Sequence, residues 1–145
     1  MRWRLPDFIC LLLALTLTLV HAASEAPSVS VRDAWIREPP PGVSTLAGYM
    51  ELRNDTSRHQ VLIAASSSGF ETVMMHRTIV KGGMAGMVHA EQIELAPNAS
   101  FIFAPGGFHL MLMNPNRTLR AGDPVVINLE FRGGLVLPVT FEVRK

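Results

Sequence analysis

Histidine and methionine side chains are concentrated in one stretch of the chain, which has 145 residues in all. Three of the five histidines and six of the eight methionines fall between positions 74 and 113. Thioether sulfur is a soft, neutral ligand that suits Cu(I), and imidazole suits copper among several other metals. Zinc sites normally use cysteine, histidine or carboxylate. A stretch rich in both histidine and methionine therefore indicates a Cu(I) site rather than a zinc site.

The cysteine content and the charge of the chain argue against several other classes of protein. The single cysteine, Cys10, cannot form a disulfide framework within the chain. A blue-copper electron-transfer centre needs a cysteine thiolate, and Cys10 lies in an amino-terminal segment that we expect to be removed. Lys and Arg number 13 against 12 Asp and Glu. This near balance argues against a nucleic-acid partner, which normally requires a basic excess.

The amino-terminal segment has the pattern of a secretory signal peptide. Arg2 and Arg4 precede an uncharged apolar run at positions 8–20. That run is shorter than the roughly 20 residues of a membrane-spanning helix, and it has the length of a signal-peptide core. Cleavage after Ala22 is expected, so that residues 1–22 form the signal peptide and residues 23–145 form a single domain. The mature protein is then periplasmic, free of cysteine and not associated with the membrane.

The elements that must position the histidines and methionines are short strands. Apolar and polar residues alternate in brief runs, as at 46–52, 125–131 and 139–143, and Pro and Gly separate the runs. This pattern predicts an all-β fold of seven to eight strands, either a sandwich or a small Greek-key barrel. Three further predicted strands, 70–80, 87–95 and 108–113, carry the candidate ligands. Gly82-Gly83 and Arg132-Gly133-Gly134 predict turns.

Alternation along these three strands predicts which face each candidate ligand occupies. Side chains of successive strand residues point to opposite faces of a sheet. If Leu110 and Leu112 point to the core, the odd-numbered residues of that strand lie on the solvent side. The same argument applies to the strands 70–80 and 87–95, which would meet the third strand at one pocket. The residues placed on the three outward faces are Met74, His76, Met87, His89, His109, Met111 and Met113.

The spacing of these residues resembles the signature of a known family. His76 is followed by ten residues and Met87, then by twenty-one residues and the group His109-x-Met111. This is similar to the pattern of the periplasmic copper chaperones called PCuAC (CuA chaperone) proteins. The words Gly-Gly-Met-Ala-Gly-Met at 82–87 and Pro-Gly-Gly-Phe-His-Leu-Met-Leu-Met at 105–113 resemble the family as well. The resemblance extends from about position 29 to position 143.

The resemblance implies a fold, a ligand set and a function. It implies a cupredoxin-like Greek-key β-barrel or sandwich that binds Cu(I) through His76, Met87, His109 and Met111. It also implies a metallochaperone, not an enzyme, that delivers copper to the CuA centre of cytochrome c oxidase subunit II, often with a Sco-type thiol protein. Many relatives have glutamate where this chain has Met74. Met74, His89 and Met113 are possible auxiliary ligands.

Three other functions are compatible with the residues alone. The first is a general periplasmic protein for copper buffering or storage. The second is a copper-dependent oxidoreductase that uses an amino-terminal histidine, which would require cleavage just before His21. The third is a metal-free exported β-sandwich whose methionine-rich face contacts a protein partner.

Overall fold

The computed structural model describes residues 28–145, which form an all-β domain of ten strands. These residues form no helix, and therefore none that is long and apolar enough to cross a lipid bilayer. The predicted signal peptide, residues 1–22, lies outside the described residues. The strands are β1 (Val29–Arg37), β2 (Thr45–Asn54), β3 (Gln60–Ser66), β4 (Phe70–Lys81), β5 (Met84–His89), β6 (Ile93–Leu95), β7 (Ser100–Phe103), β8 (Phe108–Pro115), β9 (Pro124–Phe131) and β10 (Val136–Arg144).

All ten strands belong to one mixed sheet with the order β5-β4-β8-β7-β2-β1-β10-β9-β3-β6. Most neighbours are antiparallel, while β1 pairs with β10 and β7 pairs with β8 in parallel. Strand β8 also pairs directly with the first half of β2. The edge strands β5 and β6 do not pair with each other, so the sheet is not closed. The predicted all-β, cupredoxin-like class is confirmed, and the architecture is an open sheet instead of a closed barrel.

The predicted number of seven to eight strands is wrong, and the predicted strand 87–95 is one reason. This segment is divided between β5 and β6, which lie at opposite edges of the sheet. The division begins at Ala90, whose N–H donates a hydrogen bond to the carbonyl oxygen of Met75 (2.9 Å). From there the chain leaves β4 and reaches β3, where Leu62 pairs with Ile93. A continuous run of strand-forming residues does not reveal that its two halves have different partners.

The core lies on the face of the sheet predicted by alternation. Leu110 and Leu112 of β8 are fully buried, as are Leu52 of β2 and Met75 of β4. Gly48 of β2 fits between these side chains, because a Cβ atom there would lie 3.5 Å from the Leu110 Cβ and from a Leu112 methyl group. The opposite face of β4, β8 and β5 is therefore free to carry side chains that do not contribute to the apolar core.

The predicted turn at Gly82-Gly83 joins β4 to β5 and fixes how the two strands align. Both glycines have positive φ angles, 59° and 79°, as a two-residue hairpin loop of this kind requires. Lys81 pairs with Met84 across the turn. Counting five residues outward along each strand brings His76 opposite His89.

Candidate metal centre

Three histidines form a row across the neighbouring strands β5, β4 and β8. His76 of β4 pairs with His89 on one side and with His109 on the other. The ring centroid of His76 lies 5.7 Å from that of His89 and 6.0 Å from that of His109. The rings meet edge to face, with interplanar angles of 84° and 70°. The sheet thus brings together three imidazoles that are separated by up to 33 positions in the sequence.

Thioether groups lie on both sides of this histidine row and on the same face. Met74 of β4 pairs with Met111 of β8, two residues along the strands from the His76–His109 pair. Met87 of β5 pairs with Thr78 of β4, two residues from the His76–His89 pair in the opposite direction. Of the four ligands that the resemblance implies, His76, His109 and Met111 therefore occupy adjacent positions on two paired strands.

Met113, predicted as an auxiliary ligand, lies farther from the histidines. It pairs with Thr72, four residues along β8 from the His76–His109 pair. Met74, the other auxiliary methionine, lies next to the row and is half-buried. The structure therefore brings Met74 to the site and leaves Met113 at its margin.

His109 is buried, and the prediction that it lies on a solvent-exposed face is wrong. Only 5% of its surface is exposed, because β8 is an interior strand flanked by β4 on one side and by β7 and β2 on the other. Its Nδ1 atom lies 3.3 Å from the carbonyl oxygen of Gly107. A proton on Nδ1 that is donated to this oxygen leaves the Nε2 lone pair available to a metal, which is how many metal-binding histidines are oriented.

His76 is the central imidazole, and one of its nitrogens has no partner within the described part of the protein. Its Nδ1 atom is buried and forms no hydrogen bond. Buried polar atoms without a partner are rare in folded proteins, and each one needs an explanation. Burial, assisted by the nearby His109 and His89, lowers the pKa of His76 and so favours the neutral ring. A neutral imidazole with an unused nitrogen is suited to accept a metal ion.

Met87 and His89 are at the exposed side of the cluster. They lie on the same face of β5, an edge strand whose residues are all exposed. The Met87 side chain is 63% exposed and is a diagonal neighbour of His76. Diagonal neighbours of this kind are about 7–8 Å apart, a distance that a long side chain spans. Since methionine has three rotatable side-chain bonds, Met87 can turn toward the histidines.

The donor set of the site depends on sulfur. Residues 28–145 contain no group of three or more His, Cys, Asp or Glu side chains that could hold a metal ion. The donors that the strand register brings together are imidazoles and thioethers, a set that suits Cu(I) and does not suit zinc or a hard cation. A surface pocket of about 1110 Å³ is lined by residues 38–44, 114–120 and Lys145, and none of the candidate ligands borders it.

The direct pairing of His76 with His89 was missed by reasoning from strand faces alone. The signal that could have found it is the Gly82-Gly83 turn, since a two-residue turn fixes the register of a hairpin. The pairing of His76 with His109 has no such local signal. It depends on β4 and β8, which are far apart in the sequence.

Comparisons with known proteins identify the family. The family model described as putative lipoprotein LpqE-like matches residues 29–143. A putative lipoprotein of Leifsonia xyli subsp. xyli is 31% identical over 142 residues, which cover 92% of this chain and 84% of that protein.

Two solved structures are similar to the described domain. The solution structure of Cu(I)-bound DR1885 from Deinococcus radiodurans has a TM-score of 0.68 and 31% identity, and the match covers 86% of this chain and 83% of that one. The copper-bound PCuAC domain of PmoF2 has a TM-score of 0.68 and 23% identity, and the match covers 82% and 95%. The PmoF2 likeness supports the fold alone. The chain therefore belongs to the LpqE-like family, which is the family of the PCuAC copper-chaperone domains.

Proposed function

We propose that this protein binds Cu(I) through His76, His109, Met111 and Met87 and passes it to an acceptor protein. The observation that carries the proposal is the unpartnered, buried Nδ1 of His76 next to His109, with thioethers on both sides. Two neutral imidazoles and two neutral thioethers match the preference of Cu(I) for soft, uncharged donors. The copper-bound state of DR1885, the relative from Deinococcus radiodurans, supports the choice of metal.

Transfer proceeds by exchange of ligands and not by catalysis. His109 is buried and oriented by Gly107, whereas Met87 is exposed at the sheet edge. An incoming ligand of the acceptor therefore reaches the metal from the β5 side, where Met87 is the exposed sulfur ligand. Copper is the cargo of this process and stays Cu(I) throughout, so the protein acts as a carrier and not as an enzyme.

We propose the CuA domain of cytochrome c oxidase subunit II as the acceptor, with a Sco-type thiol protein as a second partner. The membership of this chain in the PCuAC family supports this choice. The test mixes the Cu(I)-loaded protein with a purified, copper-free CuA domain, with and without the thiol protein, then adds a one-electron oxidant such as ferricyanide and follows the purple absorbance of the oxidised CuA centre. Appearance of this absorbance supports delivery. Tight Cu(I) binding without transfer would instead support copper buffering.

We propose that the protein is exported and acts in the periplasm after removal of residues 1–22. The Leifsonia relative is described as a putative lipoprotein, which supports export. In this chain Cys10 lies inside the apolar run instead of at its end, so we expect cleavage without attachment of a lipid. The intact mass of the protein purified from its native host tests this. A mass that begins at Ala23 supports the proposal, and a lipid-modified cysteine contradicts it.

A further inference from the structure

We propose that His89, together with His76 and Met87, forms an outer copper position through which Cu(I) leaves the site. This inference rests on the proposed function, because it assumes that Cu(I) binds at His76. His89 lies outside the His-x10-Met-x21-His-x-Met spacing. The structure nevertheless places it directly opposite His76 and two residues from Met87 on the same strand face.

The distances allow His76 to share a metal with either of the other two histidines. A metal about 2 Å from one nitrogen of each of two imidazoles holds the ring centroids roughly 6 Å apart. The two centroid distances from His76 are 5.7 Å to His89 and 6.0 Å to His109. On distance alone, His89 is as well placed as His109 to be the second imidazole.

The three imidazoles are not arranged to bind one metal together. His76 lies on the central strand of the three, with His89 and His109 on opposite sides of it. In agreement with this, no group of three His, Cys, Asp or Glu side chains in residues 28–145 surrounds a common point. His89 and His109 are therefore alternative partners of His76, which defines an inner position at His109 and an outer position at His89.

The two positions differ in their access to solvent, and this difference gives the exchange a direction. The inner position uses His109, which is buried, and Met111, which is half-buried. The outer position uses Met87 and His89, which are exposed on an edge strand that has no neighbour on its far side. The outer position is therefore the more accessible of the two to an acceptor.

The step between the two positions leaves the charge and the oxidation state of the metal unchanged. Cu(I) keeps its bonds to His76 and Met87, the bonds to His109 and Met111 break, and a bond to a ring nitrogen of His89 forms. Each imidazole donates a lone pair and no electron is transferred. The filled d-shell of Cu(I) tolerates the change in the number of ligands.

The test compares His89→Asn with His59→Asn, in which an exposed histidine distant from β5 in the sequence is replaced in the same way. Two quantities are measured: the equilibrium affinity for Cu(I), by competition with a chromophoric chelator, and the rate of Cu(I) transfer to that chelator in a stopped-flow instrument. For His89→Asn we expect an affinity close to that of the unmodified protein and a transfer rate lower by about tenfold or more. For His59→Asn we expect both values to be unchanged.

Nuclear magnetic resonance of the imidazole ¹⁵N nuclei provides a second measurement. The volume-conserving variant Met111→Ile weakens the inner position, so added Cu(I) should shift the ring signals of His89 more strongly than in the unmodified protein. Two results would overturn the outer position: an unchanged transfer rate in His89→Asn, or an affinity loss as large as that of Met111→Ile. Failure of the unmodified protein to bind Cu(I) at all would instead refute the proposed function.

Discussion

At the scale of single residues, the proposed function depends on two neighbouring imidazoles, those of His76 and His109, and on the groups around them. The Nδ1 atom of His109 lies 3.3 Å from the carbonyl oxygen of Gly107, and the buried Nδ1 atom of His76 has no hydrogen-bond partner among residues 28–145. The thioethers add soft sulfur donors to the site but no charge, since methionine does not titrate. This division of roles makes separate predictions for the sulfur and the nitrogen ligands.

Replacing the methionine ligands should abolish tight Cu(I) binding without unfolding the protein. Replacing a residue that only supports a metal ligand typically lowers metal affinity by about 10–100-fold. Loss of a ligand sulfur itself, in Met87→Ile or Met111→Ile, should therefore weaken Cu(I) binding by about 100-fold or more. Isoleucine conserves volume, so the free energy of unfolding should change by less than about 1.5 kcal/mol. Chelator competition and urea denaturation measure the two quantities.

The matched control for this prediction is Met84→Ile. Met84 lies on the same strand as Met87 and is also exposed, at 75%, but it pairs with Lys81 and therefore lies on the opposite face of β5. Its replacement should leave the Cu(I) affinity unchanged. Equal losses in Met84→Ile and Met87→Ile would mean that face and register do not determine the site.

The lowered pKa of His76 predicts how the stability of the copper-free protein depends on pH. In the unfolded chain this histidine takes up a proton near its ordinary pKa of 6.5, while burial and the neighbouring histidines lower that value in the folded protein. As the pH falls below about 6.5, the unfolded state therefore gains a proton that the folded state does not, and the free energy of unfolding decreases. The decrease ends once the pH is below the folded pKa.

Urea denaturation at several pH values between 5 and 8 tests this prediction. In His76→Gln the decrease between neutral and mildly acidic pH should become smaller, whereas in His59→Gln it should be the same as in the unmodified protein. An identical pH profile for His76→Gln and the unmodified protein would show that His76 does not cause the pH dependence of stability.

At the scale of elements, the site is built from one local hairpin and one long-range pairing. The hairpin β4–β5 could be predicted, since the glycine turn and the alternation of residues are visible in the sequence. The contact between β4 and β8 could not be predicted from local signals, because the register that joins His76 to His109 depends on how the whole sheet assembles. The same limitation explains why residues 87–95 were predicted as one strand although β5 and β6 have different partners.

The buried residue Asn54, at the end of β2, joins two parts of the domain. Its Nδ2 atom donates to the carbonyl oxygens of Arg58 (2.8 Å) and Ala96 (3.1 Å), and its Oδ1 atom accepts from the hydroxyl of Thr56 (2.7 Å). The side chain is fully buried. It therefore fixes the loop after β2 against the end of β6, at a distance from the histidine row along the strand order.

Replacing Asn54 should destabilise the protein without changing its metal affinity. Asn54→Ala removes these hydrogen bonds and also the buried one to the carbonyl oxygen of Leu95 (3.2 Å), and a buried polar group left without its partner costs about 1–3 kcal/mol, so we expect a total loss of roughly 2–4 kcal/mol in the free energy of unfolding. Asn116→Ala is the control, since Asn116 is exposed and its side chain donates one hydrogen bond, to Ser68. Its replacement should cost less than about 1 kcal/mol. Urea denaturation compares the two, and similar losses would contradict the role of Asn54.

At the scale of the whole molecule, the ligands come from three strands of one cooperative sheet, so metal binding should stabilise the entire fold. A ligand that binds only the folded state at 100 times its Kd adds about 2.7 kcal/mol to the free energy of unfolding. For a domain of this size that corresponds to an increase in Tm of roughly 10 °C. Calorimetry under reducing, oxygen-free conditions should show this increase with Cu(I).

Zn(II) at the same concentration is the control for thermal stabilisation. Because thioether sulfur suits Cu(I), whereas zinc sites normally use Cys, His or carboxylate ligands, Zn(II) should raise the Tm much less than Cu(I) does. The Met111→Ile variant should also lose most of the increase. An equal increase with both metals would indicate that sulfur does not contribute to binding.

The exposure of Met87 also determines how the site is lost under oxidative stress. Oxidants convert methionine to its sulfoxide, a polar group that is no longer a soft thioether. Met50 and Met75 are buried in the core and protected, whereas Met87 meets solvent at the edge of the sheet. In the proposed coordination Cu(I) would cover the Met87 sulfur, so we expect the copper-free protein to be the more sensitive form. A methionine sulfoxide reductase would restore the ligand, and this makes the carrier repairable without new synthesis.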